Sequence, residues 1–170
     1  MRISSYGISI VPPSGWDAHL YSRPLVEPSA LPPGVGAPFA RRASAEGGAA
    51  TLHTANFALP AHDGEFGTGA TSSMPRDGVF VALVEYQTGQ GLEPGRGLFA
   101  PRRIPVPLGL SDFHSATLVR ALPGQAGAQR FFTVADRPLC LYAVLGPGAQ
   151  TRASVAHLNQ ALFSLEVLRR

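Results

Sequence analysis

The sequence has no lysine. All fourteen basic side chains are arginine, scattered in pairs at most, as at Arg41 with Arg42, Arg102 with Arg103 and Arg169 with Arg170. A nucleic-acid binder gathers its basic residues into a face or stripe, because it must neutralise a row of phosphates. The net charge of +3 is diffuse here, and nucleic acid is not the expected partner. A single cysteine, Cys140, excludes an internal disulfide and any multi-cysteine metal site. The longest apolar run, residues 139–145, falls far short of the roughly 20 residues that a membrane-spanning helix needs. The opening MRISSYGISIVPPSGW lacks an apolar stretch of about 7–15 residues before a small-residue cleavage site. It does not read as a signal peptide, so the expected location is cytoplasmic.

Glycine and proline are plentiful instead, 19 and 16 of 170 residues. That is about a fifth of the chain, above the roughly 12% of average proteins and below the about 25–30% of disordered ones. With abundant alanine and arginine it follows a GC-rich coding bias. The length suits one domain, 1–170, that buries a sizeable core and carries long loops. Two stretches, 23–50 and 87–107, have neither helical nor strand periodicity and read as those loops.

The periodic segments between them predict an α+β fold. Ile8 and Ile10 alternate with small and polar neighbours, as do Trp16, Ala18 and Leu20, and Pro12, Pro13, Ser14 and Gly15 between them predict a hairpin turn. Trp16 then closes one end of the core. Residues 52–57 predict a strand, and VFVALVEY (79–86) predicts a central one covered on both faces. Further strands are expected at 115–122, 129–134 and 139–145, the last two joined through ADRP. TRASVAHLNQALFSLEVL places Val155, Leu158, Leu162 and Leu165 on one helical stripe behind an N-cap at Thr151 or Ser154. The whole is a mainly antiparallel sheet with a C-terminal helix packed on it. Its expected core is Ile8, Ile10, Trp16, Leu20, Val81, Leu83, Leu141, Ala143, Leu158, Leu162 and Leu165.

Three stretches carry residues with chemical potential. His62, Asp63 and Glu65 in HDGEFGTG, with His53 from the preceding strand, are metal ligands by type. GLSDFH brings Ser111, Asp112 and His114 together, but Phe113 breaks the Gly-x-Ser-x-Gly pattern of a nucleophile elbow. These two clusters support a metal-dependent or serine-type hydrolase as the alternative function. Both also read as ordinary turn chemistry, in which short polar side chains bond local backbone. Cys140, inside an apolar strand, reads as an inert buried thiol. No metal or cofactor is expected.

YGISIVPPSGW at the start and RFFTVADRPLCLYAVLG with ASVAHLNQALFSLEV at the end resemble the PsbP-like fold. That fold is named for a photosystem II extrinsic subunit and is shared by a Ran-binding protein, actinobacterial lipoproteins and secretion-effector chaperones. The matching residues are Gly7 with Ile8, Pro13 with Trp16, the hairpin around Asp136 and Arg137, and Ser164 with Leu165. The proline-rich stretch after the first hairpin has no counterpart in it. The resemblance implies an α/β/α sandwich with a binding or adaptor role and no shared catalytic site. The expected function is therefore a non-enzymatic protein-binding module acting through surface loops. Its partner-binding residues are Leu25, Leu31 and Phe39 in the first loop and Arg96, Leu98, Phe99, Arg102, Arg103 and Ile104 in the second, apolar anchors beside a charged rim.

Overall fold

The computed structural model describes residues 1–26, 43–88 and 92–169. Two short strands, β1 (Ile3–Ser5) and β2 (Ile8–Ile10), come first, followed by β3 (Asp17–Val26), β4 (Ala43–Ala55) and a short helix α1 (Thr68–Ser72). Then come β5 (Val79–Glu85), β6 (Ala126–Val134), β7 (Arg137–Leu145), the helix α2 (Arg152–Phe163) and a two-residue β8 (Glu166–Val167). The strands form two antiparallel sheets, ordered β1-β2-β8 and β3-β4-β5-β7-β6.

β5 and β7 are buried along their whole length, which is why their sequences are apolar at consecutive positions. Val81, Leu83, Leu141 and Ala143 face the Val155, Leu158 and Leu162 stripe of α2, together with Ile8, Ile10 and Val167 of the small sheet. Phe80, Ala82, Val84, Cys140 and Tyr142 face the other way, beneath Phe57, Leu59, Phe66 and Tyr86. The expected core assembles on the α2 side, with Trp16 and Leu20 half-buried at its margin. β6 and β7 join through Ala135 and Asp136, whose φ angles of 53° and 59° make the two-residue hairpin turn that matches strand twist. Thr151 caps α2 by accepting from the Ser154 N–H at 3.1 Å. At the other end Ser164 accepts from the Val11 N–H at 2.9 Å, fastening the helix to the chain after β2. Among the described residues no helix is long and apolar enough to cross a membrane.

Three expectations are corrected. The strand at Ile8 and Ile10 does not form a hairpin with the one after Trp16: β2 pairs with β1 and β8, while β3 belongs to the large sheet. Pro12 and Pro13 lack the N–H donors of a ladder, and the turn closed by the Trp16 N–H on Pro13 O, at 3.1 Å, carries the chain from one sheet to the other. Residues 115–122 are not a strand. Ser115–Thr117 form a 3₁₀ turn, and only His114 bridges to the sheet, at Gly127. The stretch 23–50 is not loop throughout, since β3 reaches Val26 and β4 starts at Ala43. Its glycines misled: a Cβ at Gly48 would lie 2.2 Å from Arg23 O, so the residue allows close strand approach.

Candidate functional site

The edge strand β3 alternates, so His19 and Tyr21 lie on the sheet face away from α2, opposite His53 and Thr51 of β4. The chain leaving β4 folds back over this face and is held by side chains that accept from backbone. Asp17 accepts from the Leu59 N–H at 2.9 Å, and Asn56 from the Val79 N–H at 2.7 Å. Asp63 accepts from Gly64 and Gly69 at 2.7 and 2.9 Å and from Ala70 at 2.7 Å, which places it over the start of α1. Gly67, at φ 63°, lets the backbone press against the Phe80 ring. Between this returning loop and β3 lies an open cleft of about 360 Å³, lined by His19, Leu20, Tyr21, His53, Pro60, Ala61, His62 and Asp63.

His53 forms the inner wall. It is 3% exposed, and its ring packs edge-on against Tyr21 and Phe80 with centroids 5.3 and 5.2 Å away. Its Nε2 donates to Glu65 O at 2.9 Å and lies 3.1 Å from Tyr21 Oη, which assigns the proton to that nitrogen. Burial lowers its pKa to about 4, so the ring is neutral near pH 7. The Tyr21 hydroxyl is pushed up to about 12, by burial first and by the Asp63 charge second. Arg23, next on the same face, pairs with Glu65 and donates to Thr51 Oγ1 at 3.1 Å and Glu85 O at 2.7 Å. Near neutral pH neither His53 nor Tyr21 is poised to exchange a proton.

The structure brings His53, His62 and Asp63 to one cleft, as their residue types suggested, but not as ligands. Asp63 is committed to three backbone donors, Glu65 to Arg23, and among the described residues no group of three or more His, Cys, Asp or Glu could hold a metal ion. Ser111, Asp112 and His114 form no triad. Asp112 accepts from the Gly109 N–H at 2.7 Å and pairs with Arg130 at 2.6 Å, Ser111 is exposed, and His114 pairs with Gly127 through backbone. Burial pushes the Cys140 thiol up to about 11. His19, Tyr21 and Arg23 were missed as site residues, although polar side chains recurring every second position of β3 were the available signal.

Of the expected partner-binding residues, Leu98 is 67% exposed, and Arg96, Arg102 and Arg103 are exposed with it. Phe99 is a correction: it is 2% exposed, packed against Tyr86 and Phe131 at 5.4 and 5.6 Å. Ile104 leans on the core. Leu25 lies in β3, and Leu31 and Phe39 fall outside the described residues. The segment around Leu98 is tied to β6 through Thr133. Its hydroxyl accepts from the Gly95 N–H and donates to Phe99 O, both at 2.8 Å, and its N–H donates to Pro101 O at 2.7 Å.

No protein-family model, curated protein or solved structure matches the chain. The fold and cleft define an α+β protein with two antiparallel sheets, a C-terminal helix and a cleft at one sheet edge.

Proposed function

We propose that the protein is a non-enzymatic protein-binding module that grips its partner through residues 92–104, with Leu98 as the apolar anchor and Arg96, Arg102 and Arg103 as a charged rim. The observation that carries this reading is the 67% exposure of Leu98 on a turn fixed on both sides through Thr133. A large apolar side chain presented on a rigid turn loses little entropy on docking, and a rim of arginines suits the edge of an interface. A PsbP-like relationship points the same way.

Crosslinking and recovery from the native cell, with parent and a Leu98→Asp, Arg103→Glu variant of equal melting temperature, tests it. The variant is expected to lose the parent's partners by about tenfold or more, a typical cost of losing an anchor. Equal recovery by the variant, or no partner for the parent above a bead control, overturns the reading.

A further inference from the structure

We infer that the cleft beside β3 is a second binding site, which takes a guanidinium group: the head rests against the Tyr21 ring within reach of the Asp63 charge, and the carbon stem lies along Pro60 and Ala61. This goes beyond the reading built on Leu98, which is tied to β6 at the opposite edge of the large sheet.

Charge decides the sign of the occupant. Three carboxylates stand in the cleft or at its margin, Asp17, Asp63 and Glu65, against one arginine, Arg23, which pairs with Glu65. That pair cancels, so among the described residues Asp17 and Asp63 set the net charge of the cleft. The donors to Asp63 are three neutral backbone N–H groups, which fix the carboxylate in place without neutralising it. Its Oδ1 accepts from two of them and its Oδ2 from one, so Oδ2 keeps a lone pair for an incoming N–H. The charge is felt on the β3–β4 wall: it works against loss of the Tyr21 proton and, more weakly than burial, in favour of a proton on His53. The same field repels an anion and draws a cation.

The walls select among cations. Among the described residues no three His, Cys, Asp or Glu could hold a metal ion, so a bare divalent cation does not fit. Tyr21 stands edge to face with His53, ring planes 83° apart, and His53 packs in turn on Phe80, which holds the Tyr21 ring in place where it lines the cleft. A guanidinium is planar and weakly hydrated, and it stacks on such a ring more readily than an ammonium does. Its fork of N–H groups uses several acceptors at once, and Asp63 Oδ2 with the imidazoles of His19 and His62 supplies them. Pro60 and Ala61 add an apolar strip, the surface on which an arginine-type stem lies while its head stays partly in water. The cleft volume of about 360 Å³ is at the small end for ligand sites, a size for one such group.

The guanidinium belongs either to an arginine side chain of a partner or to a free small molecule, and two probes separate these sources. N-acetyl-arginine methylamide carries the side chain between peptide groups, and ethylguanidine carries the head alone. Each is titrated against the full chain in amide NMR spectra, with saturable shifts expected at residues 19–21, 53 and 61–63. Capped arginine binding about tenfold tighter than ethylguanidine marks a side chain as the source, and comparable binding marks a small molecule. N-acetyl-citrulline methylamide, which keeps the shape and loses the charge, is expected to bind about tenfold more weakly than the arginine probe. The corresponding lysine amide is expected to bind about threefold more weakly. Glu65→Gln frees the Arg23 charge without altering a lining side chain and is expected to weaken binding about threefold, an effect that added salt reduces. Tyr21→Leu, which removes the ring, should weaken it by a similar factor, whereas Tyr21→Phe, which keeps the ring, should not. The probe comparison uses the unaltered chain, so it holds whatever a variant does to folding. Leu98→Asp should leave this binding unchanged, so the two sites stand or fall separately. Equal binding of the citrulline amide, tighter binding of N-acetyl-glutamate methylamide, no saturable shift, or shifts confined to another surface would overturn the inference.

Discussion

Arg137 and Glu85 meet inside the protein as a bidentate ion pair, Nε on Oε1 and Nη2 on Oε2, each at 2.8 Å, with side chains 5% and 9% exposed. The remaining Arg137 nitrogen, Nη1, donates to Gly7 O at 3.2 Å and Leu168 O at 3.1 Å, while Glu85 accepts from the Ala50 N–H at 2.8 Å. One pair thus ties three strands of the large sheet to the end of the small one where β2 begins and β8 finishes.

Arg137→Met removes the bidentate cationic partner of a buried carboxylate that keeps its Ala50 N–H bond. The expected loss is about 3–5 kcal/mol, the usual cost of removing one partner of a buried pair. Urea unfolding followed by Trp16 fluorescence measures it, and a loss under about 1 kcal/mol would refute the clamp.

His53 makes stability depend on pH. Its folded pKa of about 4 lies below the ordinary 6.5, so the unfolded chain binds the proton more readily. Its contribution is full above about pH 6.5 and is lost as the pH falls toward 4, up to about 3 kcal/mol. Comparing urea midpoints near neutrality and in mild acid should show a smaller acid loss in His53→Gln. An unchanged loss would assign it to other groups.

Trp16 seals the margin of the core without being fully enclosed. Trp16→Ala is expected to cost about 2–3 kcal/mol, below the 3–5 of a wholly buried ring. Calorimetry that finds parent-like stability would remove its role as a clasp.

The Cys140 thiol, fully buried and pushed up to about 11, should resist a disulfide reagent in the native protein at pH 8 and react at once in denaturant. Rapid labelling of the folded chain would contradict this.

What the sequence alone determined is local. β5, β7 and α2 were legible because their periodicity or continuous apolarity reports burial residue by residue, and the β6–β7 hairpin because Ala135 and Asp136 follow one run and precede another. Pairing was not legible. Alternation at Ile8 and Ile10 announces a strand but not that its partner is Val167, near the other end of the chain. The cleft has the same origin, since His19, His53 and His62 come from three segments that meet only when β3 pairs with β4 and the following loop folds back. Leu98 and Phe99 make the distinction sharpest: adjacent, both apolar and in one 3₁₀ turn, one is 67% exposed and the other 2%. Composition could not separate them, because which side of a turn meets Tyr86 and Phe131 is set by long-range packing, and only the tertiary structure decides it.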